Sequence, residues 1–129
     1  MKKLLYVAMM ALTVGLMASC AAKQGSSDYY KNGKEPVINF DEGTVNGVKY
    51  DAEANKCWKF TVTTTTLGIA VSKDDYTWGT EWAMVAACEE TMYIVAQTGV
   101  SKAKYSYVEV PGKDQDACEE LSEKANANN

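Results

Sequence analysis

The sequence predicts an α+β domain: a small antiparallel sheet with two helices packed on one face. Three observations lead there. Trp58, Phe60 and Val62 alternate with Lys59, Thr61 and Thr63, the period of two that a half-buried strand requires. The interval 81–98 is apolar at helical spacing, and it runs from Thr80, a residue that can cap a helix start, to Gly99, a residue that can end one. Ala103 to Val110 then alternates again, which returns the chain to the sheet.

From residue 37 the elements follow in order. Val45-Asn46-Gly47-Val48 predicts a tight hairpin, because Asn-Gly supplies both positive φ values of a type I′ turn. Cys57 to about Thr66 is a strand with its aromatics inward, and Thr63 to Thr66 read as an exposed edge. Leu67 to Val71 continues it, as a hairpin return or a bulged extension interrupted by Gly68. The helix over 81–98 would be ~27 Å long. Val85, Cys88, Met92 and Val95 lie along one face, and Trp82, Ala86, Tyr93 and Ala96 widen it. Pro111-Gly112 closes the last strand. A second helix runs from Asp114 to about Ala125, with Asp116 and Glu119 at capping-box spacing and Cys118, Leu121 and Ala125 on one face.

The first 36 residues have a different character. Met1, Lys2 and Lys3 are followed by an apolar run from Leu4 to Met17, then Ala18, Ser19 and Cys20. A charged start, a short apolar stretch and a small-residue exit describe a signal peptide over residues 1–19. The run is too short for an ordinary transmembrane helix, which needs ~20 apolar residues. Met17-Ala18-Ser19-Cys20 resembles the lipobox of bacterial lipoproteins, with Met17 where Leu is usual. The resemblance implies a diacylglyceryl group on Cys20 and a palmitate-type acyl chain on its nitrogen. It also implies a membrane partner reached through that lipid and a place in the cell envelope; Ala21, rather than Asp, after the cysteine implies the outer membrane of a Gram-negative cell. Residues 20–36 are polar and aperiodic, and they read as the lipidated cysteine with a flexible tether of ~20–25 Å. Residues 37–129 form the single globular domain.

Composition excludes several function classes. Removing 19 residues from 129 leaves 110, enough for one small core. Without Lys2 and Lys3, eleven lysines face 17 acidic residues, a net charge of −6. The chain has no arginine and no histidine. An acidic chain without arginine argues against nucleic acid, against phosphate clamps and against anionic headgroups. Without histidine there is no Ser-His-Asp or Cys-His catalysis and no His-ligated zinc.

With Cys20 lipidated, three cysteines remain, and an oxidising compartment pairs two of them. Cys57 starts a strand and Cys118 starts a helix, so Cys57–Cys118 is the first choice and Cys88–Cys118 the alternative. No pair has close metal-ligand spacing, so no metal or other cofactor is expected. Tyr76, Trp78, Tyr105 and Tyr107 form a candidate binding surface, because exposed aromatics stack on flat apolar ligands such as sugars; the competing assignment for each is core. Glu89 and Glu90 point about 100° apart on a helix and read as a solvated face, and the Thr63–Thr66 hydroxyls lack a base to activate them. Two classes of function survive. The first is a non-catalytic envelope lipoprotein whose disulfide-stapled domain binds an envelope protein or glycan. The alternative is a small envelope hydrolase that works with carboxylates alone, with residues distant in sequence such as Asp51 and Glu109 meeting in the fold.

Overall fold

A computed structural model of the chain describes residues 23–127; Cys20 and the apolar run before it lie outside the described residues. The order is β1 (Lys23–Ser26), a 3₁₀ turn (Ser27–Tyr30), β2 (Ile38–Asn39), β3 (Thr44–Val45), β4 (Val48–Lys49), β5 (Lys56–Thr66), β6 (Ile69–Gly79), α1 (Glu81–Thr98), β7 (Ser101–Glu109) and α2 (Gln115–Ala127). The class is α+β. Four strands form an antiparallel sheet in the order β1-β7-β5-β6, and three short ones form a second sheet, β2-β3-β4.

Local chemistry sets the element ends. The Thr80 hydroxyl accepts the Ala83 N–H at 3.1 Å, and Gly99 closes α1 at φ +72°, the two-ended capping that the sequence predicts. Asn46 and Gly47 take φ values of +53° and +80° and join β3 to β4. At α2 the cap is Asp114, whose carboxylate accepts the Ala117 N–H at 2.9 Å, so Asp116 lies two residues further on, in the first turn, and is not the cap of the expected capping box. The β5–β6 connection is a two-residue turn with an unbroken register from Thr66↔Ile69 to Lys56↔Gly79, so Leu67–Val71 is the hairpin return, not a bulge. β5 is flanked by β7 and β6, which makes Thr63–Thr66 part of a central strand; the edges are β1 and β6.

That turn holds a side chain in an unfavourable backbone region. Leu67 has φ +54° and is 92 % exposed, and a left-handed conformation costs a residue with a Cβ roughly 1–2 kcal/mol. Asparagine tolerates it, and Asn-Gly is the favoured pair for such a turn. Leu67→Asn is therefore expected to stabilise the domain by about 1 kcal/mol, seen as a melting temperature raised by a few degrees.

Two sequence expectations need correction. The tether does not extend to residue 36: Lys23–Ser26 pairs with Lys104–Tyr107 of β7, Tyr30 is fully buried, and the Ser27 hydroxyl accepts the Ala103 N–H at 2.9 Å. Polar composition concealed a strand, because β1 is a sheet edge whose stability comes from its partner's backbone and not from its own side chains. The second correction concerns the helices. Cys57 and Trp58 are neighbours on β5 and so point to opposite faces of the sheet. Trp58 packs in the core with Met84, Val85, Met92, Tyr105 and Tyr107 under α1, whereas Cys57 is bonded to Cys118 of α2. The helices therefore take opposite faces, α1 over the β7 side and α2 along β6.

Candidate functional site

The disulfide is Cys57–Cys118, with Cα atoms 5.6 Å apart and 61 residues between them in sequence. Both cysteines are buried, and Cys88 is a buried free thiol whose pKa burial pushes up to about 12. At neutral pH it stays protonated and packs as a small hydrophobe against Met84.

The four aromatic residues proposed as a binding surface do not form one. Tyr105 and Tyr107 are each 4 % exposed, stacked on one another at 6.3 Å beneath α1, so both leave the candidate surface and belong to the core. Their alternation shows one face of β7; the helix that covers that face is set by long-range packing, which the pattern does not carry. Tyr76 and Trp78 remain half-buried on β6, at two different depressions: Tyr76 beside Leu121, Lys124 and Ala125 of α2, Trp78 where the strand borders a cleft under α1.

That cleft is the candidate site. It has a volume of about 260 Å³, lies between α1 and the β5–β6 half of the sheet, and is floored by Phe60, Val62 and Thr77 with Ala83, Met84, Ala87 and Cys88 on the helix side. Its origin is local. Ala83, Ala87 and Thr91 recur every four residues along one helix flank, too small to reach the sheet, while Val85 and Met92 fill the core. Two of the hydroxyls around it are committed elsewhere: Thr80 caps α1, and Thr91 donates to the Ala87 carbonyl at 3.0 Å. No carboxylate lines it, so it can hold an uncharged apolar group but cannot supply acid–base chemistry.

Across the helix lies a polar cluster that the sequence did not reveal. The Glu89 carboxylate accepts hydrogen bonds from the Tyr30 and Tyr105 hydroxyls. Tyr30 in turn accepts from Asn46 Nδ2 at 2.7 Å, and Tyr107 donates to Glu81 at 2.8 Å. Glu89 is thus half-buried and not part of a solvated face; Glu90, next to it, is exposed. Gly25 of β1 is required there, since a Cβ would come within 3.0 Å of the Tyr105 ring and the Glu89 carboxylate. Burial first, and hydrogen bonding to a carboxylate second, hold the Tyr30, Tyr105 and Tyr107 phenols well above their usual pKa. Asp51 and Glu109 serve separate local roles: Asp51 accepts the Glu53 and Ala54 N–H groups, which lower its pKa, and Glu109 pairs with Lys56 at 3.5 Å.

No family model, no curated protein and no solved structure matches this chain.

Proposed function

We propose that the protein is an exported lipoprotein, anchored in the envelope through Cys20 and bearing a binding domain, and that the α1 cleft takes an apolar, uncharged portion of its ligand. The buried Cys57–Cys118 bond is the observation that supports export most directly, because such bonds persist in oxidising compartments. It agrees with the apolar run that ends at Cys20. Labelled palmitate should enter the wild type and not Cys20→Ala; equal label in both would end the lipoprotein assignment.

Binding is favoured over carboxylate hydrolysis because the cleft walls are apolar and the half-buried Glu89 is saturated by tyrosine donors. An uncharged apolar fluorescent probe should bind the wild type, and Ala87→Phe, which fills the cleft from the exposed flank of α1, should weaken that binding at least about tenfold, the worth of one to two buried methylenes. Hydrolysis of an envelope substrate that disappears in a single Asp→Asn or Glu→Gln variant would establish the hydrolase instead.

A further inference from the structure

The acidic net charge hides a segregated basic end. Segments 61–73 and 91–108 contain Lys73, Lys102 and Lys104 and none of the chain's 17 acidic residues. The fold brings them together. Thr66 at the end of β5 pairs with Ile69 of β6 on one side and Ser101 of β7 on the other, so the β5–β6 turn and the α1–β7 junction form one tip. This tip also collects exposed aliphatic side chains: Leu67 is 92 % exposed, Val100 69 %, Ile69 68 % and Val71 63 %. All three lysines are exposed around them. Two acids stand beside the tip: Asp28 shares a shallow depression with Lys31, Val100 and Lys102, and Asp74, next to Lys73, pairs with Lys59 at 3.8 Å.

We propose that this tip docks onto an anionic lipid bilayer, with Leu67, Ile69, Val71 and Val100 entering the interface and Lys73, Lys102 and Lys104 facing the headgroups. Three features favour that occupant. The tip is made of two chain reversals at the end of the sheet, and a fluid surface asks no complementary pocket of it. Its charge is opposite to that of an anionic leaflet and to that of the rest of the chain. A second copy is disfavoured at the same place, because two such tips would bring six lysines together. The tip does not depend on the lipid anchor. Lys23 pairs with Tyr107, six residues along β7 from Ser101, so the chain enters ~20 Å from the tip. If Cys20 is lipidated as proposed above, engagement of both ends with one leaflet lays the strands parallel to the membrane.

The test uses the chain from residue 20 onward with Cys20→Ser, which keeps every described residue and removes the acylation site. It should co-sediment with vesicles of equal parts phosphatidylglycerol and phosphatidylcholine at low salt, and not with phosphatidylcholine alone. Binding should fall steeply with salt. Neutralising Lys73, Lys102 and Lys104 to glutamine should weaken it on the order of 100-fold, at roughly fivefold per lysine. Leu67→Asn combined with Ile69→Ser and Val71→Ser should reduce it to background; the melting curve of that variant shows whether the fold persists, and Leu67→Asn alone, expected to stabilise, should still weaken binding. Absence of sedimentation with the anionic vesicles overturns the proposal. So does binding that ignores the lysine changes, or capture of an envelope protein by a tip that leaves vesicles untouched. Because acylation is absent from this protein, its failure to bind vesicles and a failure of Cys20 to take palmitate are separate results.

Discussion

Removing the Cys57–Cys118 bond, by Cys57→Ser with Cys118→Ser, should destabilise the domain by about 4 kcal/mol and leave it largely unfolded in mild denaturant. The bond closes a loop of 61 residues; in the chain-entropy model a loop of that length restrains the unfolded chain by roughly 4 kcal/mol. A small domain has only ~5–15 kcal/mol of net stability, so the bond is a large share of it. The geometry explains why nothing else compensates. α2 lies along β6 on the face away from the main core, and its buried anchor there is Cys118 itself. Its other links to β6 are Ser122 to Asp75 at 2.8 Å and the contact side of Leu121 and Ala125, which stay half-buried beside Tyr76. The double variant, followed by urea unfolding beside the wild type, checks this. A loss below about 1 kcal/mol would mean that α2 docks by packing alone. Cys88→Ala should leave the disulfide intact and cost far less.

Glu89→Ala is expected to cost roughly 3 kcal/mol, since a hydrogen bond to a charged group contributes about 1.5–3 kcal/mol and two tyrosine hydroxyls lose their acceptor together. Glu89→Gln, which keeps one acceptor oxygen, should cost about half as much. The same cluster sets a pH limit. Tyr30, Tyr105 and Tyr107 have folded pKa values above the ordinary ~10 of a phenol, so the unfolded chain loses their protons first. Their contribution is intact below pH ~10 and declines as pH rises further, with each phenol adding up to ~1.4 kcal/mol per pH unit to the slope. Alkaline unfolding followed by tyrosinate absorbance should therefore be cooperative, with several phenols ionising as the fold is lost. A simple titration near pH 10 with the fold retained would show that the phenols are accessible.

How much of this was legible in the sequence depends on the range of the interaction. Thr80, Gly99 and Asn46-Gly47 act within a few residues, and the elements they bound are where their spacing puts them. Cys57 and Cys118 could be paired because Cys88 sits among alanines on an apolar helix face. What failed to show was pairing at distance. Gln24-Gly25-Ser26 has no strand character, yet it becomes one against Lys104–Ser106. Glu89 next to Glu90 looks like a solvated pair, until Tyr30, 59 residues away, closes over the first of them. Tyr105 and Tyr107 alternate correctly, but alternation gives a face and not its cover. Whole-chain charge is silent on arrangement for a related reason: it averages over a molecule in which Lys102 and Lys104 stand together on β7.

The early start of β1 has a mechanical consequence. Only Ala21 and Ala22 separate Cys20 from Lys23, a link that spans at most ~11 Å when taut. A domain held by a lipid on Cys20 would stand flush against its bilayer, and any pull on that lipid would enter the protein through its outermost strand. The load would peel β1 from β7 one residue at a time until it met Tyr30, locked to Glu89 and Asn46. If that lock released, the eight residues from Lys23 to Tyr30 would pay out ~27 Å of extended chain. Under tension the mount would become a leash, while the Cys57–Cys118 staple kept the remaining sheet closed behind it.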